Sequence, residues 1–461
     1  MSTQMIIILF YLILTVTIGC YAKKKSGTSA SFHGCGLGIL MCVAAGTGEW
    51  LGGTSTTGIS EYGFTYGISG AWYTIANGLG VMALAIFFAK LYRSLETVTV
   101  PGIIEKFIGV DARTVASVLL TFVMLAVGTA QIIAAGTLGV VVLGLDYNMA
   151  VIIMGLVFIV YTQAGGMIAV GYTNMIHLIA MYGGVILAII FVSKNIGGLS
   201  TLSVILPDSY FSLTSIGMPR VSSWVIAAIL GACTAQAGIQ PLLAARDVNV
   251  AKKAGIITAF AVAPFGLLTA LLGMVAKAKY PELPQATLAL PTLLMDLNPI
   301  IGGIVLASIL AAILSTVSPI ILACGTMITK DIYQRRLKPA ASDKEILLIS
   351  RITTGVAGVC CIFLAIALYG TTMILDMVFF AYTIRGSLFV VLLYGIYWRR
   401  TTQKGAIYAM LLTGIVGFFW VFYKGQTGQF PLHPNFTETY AAVTTAAIAT
   451  FVLSHIFNKN E

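Results

Sequence analysis

Apolar runs close to twenty residues long recur from one end of this 461-residue sequence to the other. A run of that length matches a hydrocarbon core ~30 Å thick, where an unbroken helix satisfies every backbone group internally. Charged residues make up 9% of the chain and hydrophobic ones 58%, whereas a soluble domain carries roughly 25% charged residues. The chain therefore has too little polar surface to dissolve in water. The expectation is an all-α polytopic membrane protein, a single transmembrane domain over 1–461 with membrane lipid as its surroundings and no separate soluble unit.

The first run, Met5 to Ala22, has no basic segment before it, and Lys23, Lys24 and Lys25 follow it. It reads as a retained helix rather than a cleaved signal peptide. The positive-inside rule then places the N-terminus outside and these lysines in the cytoplasm. From that start the runs predict helices near 5–22, 36–63, 66–92, 114–145, 148–164, 173–193 and 223–245, then near 254–278, 300–329, 346–369, 373–398, 405–424 and 437–458. That gives about thirteen, with the C-terminus inside. The stretch 94–113 reads as an amphipathic cytoplasmic connection, and 196–222 and 280–298 as outer segments folded back onto the helices.

The net charge of +10 is distributed in step with this topology. Lys90 and Arg93, then Arg246, Lys252 and Lys253, then Lys330, Arg335, Arg336 and Lys338, then Arg399, Arg400 and Lys404 fall at alternate ends of successive runs. A nucleic-acid binder instead gathers its basic residues on one face, so no nucleic-acid partner is expected. Cys20, Cys35, Cys42, Cys233, Cys324, Cys360 and Cys361 have irregular spacing that fits neither a disulfide framework nor a zinc site. His33, His177, His433 and His455 are scattered, and the Asn435-Phe-Thr sequon lies outside. No catalytic constellation, transition-metal site or cofactor motif is present, and the expected function is not enzymatic.

Two spans are irregular. Residues 42–63 carry six glycines, several hydroxyls and Glu49 where a bilayer favours leucine. Glycine weakens a helix, and unpaired backbone at membrane depth is tolerated only where it lines a protein-enclosed cavity. Residues 231–241 carry Gln236, Gln240 and Pro241 late in the seventh span. Two interrupted helices five spans apart, running in opposite directions, are the pattern of transporters built from inverted repeats around a midplane site.

The stretches Gly-Gly-Met-Ile-Ala-Val-Gly-Tyr-Thr-Asn (165–174), Ala-Ala-Ile-Leu-Ser-Thr-Val-Ser (311–318) and Lys-Asp-Ile-Tyr (330–333) resemble the sodium/solute symporter family. Gly-Gly-Thr-Ser-Thr-Thr-Gly (52–58) and Thr-Val-Pro-Gly-Ile-Ile-Glu (99–105) are similar to it as well. The resemblance implies ten core helices in two inverted five-helix repeats, with the first and sixth core helices broken. The repeats would span 36–193 and 223–398, with an extra N-terminal helix at 5–22 and two trailing helices at 405–458. It also implies a sodium site between the first and eighth core helices. Carried across, Gly48, Leu51 and Ala312 would supply carbonyls, and Ser315 and Thr316 hydroxyls. An unwound helix frees carbonyls for a hard cation, and positions i, i+3 and i+4 share a helix face. The competing expectation is that Ser315 and Thr316 bond to carbonyls of their own helix. Family members usually have aspartate at Asn174 and glutamine at His177, and in some that aspartate serves a second sodium. A neutral amide is a poorer cation ligand, which predicts one sodium per cycle.

Intramembrane charge is costly and usually functional. Glu49 lies in the first break, and Asp376 and Arg385 on the eleventh span. Arg385 either meets a substrate carboxylate, with Glu49 facing an amine or the ion, or forms a buried ion pair with Asp376 or Glu49. Thr54, Ser55, Gln131, Gln236, Gln240 and Tyr382 complete the expected polar cavity. The expected function is sodium-coupled symport of a small organic solute, an amino or organic acid by preference, across a bacterial cytoplasmic membrane. The alternatives are a proton-coupled or uncoupled transporter of the same fold using Glu49, and a membrane solute sensor. The sequence reaches Glu461 without a signalling domain, which weighs against the sensor.

Overall fold

A computed structural model describes residues 3–23 and 36–458. Lys24, Lys25, His33 and Cys35 lie outside the described residues, as do the side chains of Cys20 and Lys23 and of residues 164–171, from the end of the fifth expected span up to the sixth. Within the described residues the fold is helical, apart from one isolated bridge joining Leu37 to Ala245. Among the described residues nine helices are long and apolar enough to cross a membrane, and a tenth span results when one bent pair is taken together. The remaining expected spans correspond to shorter apolar helices, Thr3–Thr15, Ile39–Trp50 and Tyr147–Gln163.

In chain order the main helices are α1 (Thr3–Lys23), α2 (Ile39–Trp50), α3 (Ile59–Tyr66), α4 (Trp72–Ala83), α5 (Val100–Phe107), α6 (Val110–Leu143) and α7 (Tyr147–Asn195). They continue with α8 (Met218–Ala232), α9 (Gln236–Leu243), α10 (Val248–Val262), α11 (Phe265–Lys279), α12 (Ala289–Met295) and α13 (Pro299–Met327). The last four are α14 (Asp343–Leu368), α15 (Ile374–Tyr397), α16 (Gln403–Thr427) and α17 (Glu438–Asn458). The centre of the bundle is α13, which packs against α1, α2, α6, α7 and α14. Its most apolar 18-residue window is 83% buried, against 33% for α16 and α17. A helix that is apolar all round belongs inside, and α13 has that composition. The pair α16–α17 packs chiefly on itself and on α15.

Both anticipated breaks are present. The second span stops at Trp50 and resumes as a wide π turn, Thr54–Gly58, that leads into α3. The seventh divides into α8 and α9, bent by 41°. Gly67, at φ 76°, ends α3 in a conformation that side-chain-bearing residues resist, and a Cβ there would strike the Tyr210 backbone. The segment responsible for that closeness, 196–217, lies over this end of α3. Tyr210 donates to the Phe64 carbonyl at 3.0 Å, Ser215 to Tyr66 at 2.7 Å, and Trp72 to Leu213 at 2.8 Å.

The fifth and sixth expected spans, 148–164 and 173–193, fall within the single helical run of α7. Tyr161 Oη nevertheless donates to Thr173 Oγ1 at 2.5 Å, although the two are twelve residues apart. In a straight helix that separation is roughly 18 Å, beyond the reach of these side chains. The chain therefore bends sharply between them, and α7 consists of two arms.

Candidate functional site

A helix that ends inside a protein leaves its last carbonyls without amide partners. α2 ends in this way: fully buried Leu51 departs from helical geometry at φ −110°, ψ 72°. The released Gly48 carbonyl accepts from Ser315 Oγ at 3.0 Å and Thr316 Oγ1 at 2.5 Å, both on α13. Ser315 Oγ is also 2.8 Å from the Ala312 carbonyl of its own helix, so the local and cross-helix bonds share one hydroxyl. Four of the five expected sodium donors thus converge, with Leu51 at the break itself. The partial negative charge of a helix C-terminus adds to the oxygen cluster. Gly52 permits the approach, since a Cβ there would lie 2.5 Å from both Thr316 Cβ and Gln131 Oε1.

Asn174 stands beside this cluster. Pro319 has no N–H to give the Ser315 carbonyl four residues earlier. Asn174 Nδ2 donates to that carbonyl at 3.4 Å, while Asn174 Oδ1 has no hydrogen-bond partner. His177, one turn along, lies 2.5 Å from Tyr11 Oη through Nδ1 and 3.4 Å from Tyr161 Oη through Nε2. These contacts tie α1 to both arms of α7.

A second group of polar side chains gathers around Arg385, which is 1% exposed. Its guanidinium carbon sits 3.5 Å from the Tyr382 ring centroid and 5.2 Å from that of Trp50. Such aromatic faces hold a cation, but they leave Nε and Nη2 without hydrogen-bond acceptors. Glu49 Oε2 is also buried and without a partner, as are both polar atoms of Asn77. Tyr73, one turn before Asn77 on α4, places its hydroxyl 3.0 Å from that of Tyr382. Buried polar atoms are nearly always paired, so orphans concentrated in this part of the bundle mark it as a place to receive polar groups. The expected Arg385–Asp376 pair does not form, because Asp376 is bonded instead to Arg220 and to Tyr62.

Several expected cavity residues have structural duties. Gln131 accepts from Gly53 N–H at 2.6 Å and donates to Thr54 Oγ1 at 2.6 Å, stitching the restart of the broken span to α6. Ser55 Oγ bonds the Gly52 carbonyl at 2.8 Å. Gln236 accepts from Val100 N–H at 2.7 Å and donates to the Val98 carbonyl at 3.1 Å. Gln240 is buried in α9. Trp50, Tyr73 and Asn77 were not anticipated from sequence. The available signal was Tyr73 and Asn77 at i and i+4, polar groups on one face of an apolar helix.

Two barriers bracket this region. On one side, Trp224 stacks on Phe379 with centroids 4.2 Å apart. Phe379 in turn meets the edges of Tyr73 and Tyr382. Beyond lies the Arg220–Asp376–Tyr62 cluster, with Arg220 over the Tyr62 and Trp224 rings. On the basic side, Leu37 N–H bonds the Ala244 carbonyl at 2.9 Å and Arg246 N–H the Leu37 carbonyl at 3.0 Å. Arg93 adds a 2.7 Å bond to Ala245. Arg113 pairs with Glu105 at 2.5 Å and with fully buried Asp331 at 2.6 Å.

Comparison with known proteins gives concordant results. A model described as the sodium:solute symporter family matches residues 32–414. The high-affinity proline transporter PutP of Bacillus subtilis (strain 168) is 26% identical over 458 residues, covering 94% of this chain and 95% of its own. The sodium/mannose cotransporter SLC5A10 of Bos taurus is 28% identical, covering 73% of this chain and 64% of its own. Among solved structures, a substrate-bound, outward-open Na+-coupled sialic acid symporter superimposes with a TM-score of 0.80 at 19% identity, covering 99% of this chain and 98% of its own.

Proposed function

This chain belongs to the sodium:solute symporter family, and we propose that it carries a small carboxylate-bearing solute, an amino or organic acid, together with sodium. Sodium-coupled solute symport follows from the family, as does the character of an integral multi-pass membrane protein. The observation that carries the finer reading is Arg385, buried and held by aromatic faces with two guanidinium nitrogens unpaired. A buried guanidinium with unpaired nitrogens is expensive, and a bound carboxylate would offset that cost through charge-assisted hydrogen bonds. Glu49 Oε2 would receive the ammonium of an amino acid, and Asn77 would meet further polar atoms of the solute. The proline transporters among the relatives carry an amino acid with such a carboxylate.

In this reading one sodium takes oxygen ligands from Gly48, Leu51, Ala312, Ser315 and Thr316. Binding there links α2 to α13 and holds the broken helix in the geometry that presents Trp50 and Glu49 to the solute. The two barriers then open in alternation, the basic end facing the cytoplasm and the Arg220–Asp376–Tyr62 end facing outward. The protein resides in the cell membrane and performs no covalent chemistry. Asn174, engaged with the Ser315 carbonyl, supports a stoichiometry of one sodium, and a sodium Hill coefficient near two would refute it.

The test is uptake into proteoliposomes under an imposed sodium gradient, with a panel of amino acids, organic acids and matched neutral solutes. Sodium-dependent uptake confined to carboxylates, lost in Arg385→Gln, is the expected result. Unchanged affinity in that variant would end the carboxylate assignment. The unpartnered carboxylate oxygen of Glu49 favours a second reading, coupling to protons. Uptake driven by a pH gradient in sodium-free buffer, abolished by Glu49→Gln, would establish it.

A further inference from the structure

A different part of the surface carries a guanidinium nitrogen with no partner among the described residues. Between the Tyr147–Gln163 arm of α7 and α14 runs a groove of about 640 Å³. Leu156, Ile159, Val356 and Phe363 line its length, and Gln163 and Arg351 lie at one end. Leu156, Val356 and Phe363 are 50%, 56% and 68% exposed, so this face of the bundle meets the hydrocarbon. Arg351 Nε is buried without a hydrogen-bond acceptor. Among the described residues Arg351 has no ion pair, and the adjoining 164–171 segment contains no carboxylate. The acids at this end are engaged elsewhere: Glu345 with Lys338 at 2.7 Å, Asp331 with Arg113 at 2.6 Å, Glu105 with Arg113 at 2.5 Å, Asp111 with Arg336, and Asp343 within electrostatic reach of Lys330. Gln163 Nε2 donates to the Arg351 carbonyl at 2.6 Å, which fixes the base of the arginine rather than neutralising its charge.

The dimensions match one leaflet. Arg351 lies roughly 12 Å along α14 from its start at the basic end. Helical side chains lean toward the N-terminus, and arginines extend their heads to the interface. From Arg351 to Phe363 the groove follows roughly 18 Å of helix, close to half of a ~30 Å hydrocarbon core. We propose that this groove binds one anionic phospholipid of the leaflet on the basic side, its acyl chain along Leu156, Val356 and Phe363 and its phosphate on the Arg351 guanidinium. Guanidinium and phosphate match in charge and in fork geometry, and basic pockets between transmembrane helices take anionic headgroups. The inference is independent of what solute the central site carries.

The test is native mass spectrometry of the full chain released from micelles containing equal amounts of phosphatidylglycerol and phosphatidylcholine with identical acyl chains. Melting curves in each lipid accompany it. The expected result is one retained phosphatidylglycerol, preferred about fivefold, the effect of one basic side chain near the surface. Arg351→Gln should abolish the preference, Arg351→Lys should keep part of it, and Val356→Trp should reduce retention by filling the groove. Melting in phosphatidylcholine shows whether each variant is folded, and the lysine and tryptophan variants carry the test if the glutamine variant is not. Equal retention of the two lipids, or an undiminished preference in a folded Arg351→Gln protein, would overturn the proposal. So would equal stabilisation by inorganic phosphate alone, which would mean an anion site without a lipid.

Discussion

At the scale of single residues, the ion and solute sites make separable predictions. Ser315→Ala/Thr316→Ala removes both hydroxyls facing the Gly48 carbonyl. In the parent protein, NaCl should raise the melting temperature above that in choline chloride at equal ionic strength, because a ligand bound only to the folded state stabilises it. The double variant should lose that sodium-specific rise, and a retained rise would place the ion elsewhere. Arg385→Gln should weaken carboxylate binding by ~10- to 150-fold, the range of a charge-assisted hydrogen bond worth ~1.5–3 kcal/mol. It should leave the sodium response intact, since Arg385 contacts none of the sodium donors. Arg385 stood out in the sequence as a charge inside an apolar run, whereas Ser315 and Thr316 were singled out by the resemblance to the family, the residues alone leaving bonds to their own helix equally open. Asn77 was not, because a single amide in a helix reads equally well as a packing residue until both its polar atoms are found unpaired.

At the scale of elements, the break after Trp50 is held by close approaches that Gly52 and its neighbour Gly53 permit. Gly52→Ala would push a methyl into Thr316 and Gln131. It should cost ~1–3 kcal/mol of stability, as overpacking does, and abolish the sodium-dependent thermal shift. Gln131→Ala should be destabilising by ~1–3 kcal/mol for the groups left unpaired, because the Gly53 amide and Thr54 hydroxyl both bond that side chain. Chemical denaturation or thermal melting in matched detergent measures both effects. The breaks themselves were readable from glycine and proline content. The partners of the broken ends were not, because Gln131 lies far along the chain and nothing in its local sequence distinguishes a substrate ligand from a strut. Gln236 is the same case, an expected cavity residue that instead clamps the backbone at Val98 and Val100.

At the scale of the whole molecule, the barriers at the two ends should open in turn. In a cysteine-free background, Leu37→Cys/Ala245→Cys joins two segments already paired through their backbones. Oxidation should arrest uptake while sparing the sodium-dependent thermal shift, and reduction should restore transport; uptake that survives cross-linking would show that this end stays closed throughout the cycle. The charge network beside it has a pH signature. Burial pushes the Glu105 carboxyl up, but the Arg113 and Arg335 guanidiniums outweigh it and hold it below the usual carboxylate range. A carboxyl with a depressed folded-state pKa stabilises above its unfolded pKa and loses that contribution as pH falls through the folded value. Acidification below the ordinary glutamate range should therefore weaken the network. Glu105→Gln should flatten that part of the stability–pH curve, and an unchanged curve would show that the network contributes nothing there.

The sequence by itself determined the solvent, the helical class, the approximate spans and the two places where helices break. Those features are set by local composition: apolar length against bilayer thickness, and glycine or proline against helix continuity. Only the tertiary structure decided the pairings. Asp376 lies on the same helix as Arg385 yet bonds Arg220, and the Gly48 carbonyl of α2 meets two hydroxyls more than 260 positions away on α13. Long-range partners depend on how helices pack and on where a missing side chain lets two backbones approach, and a linear pattern does not encode those distances.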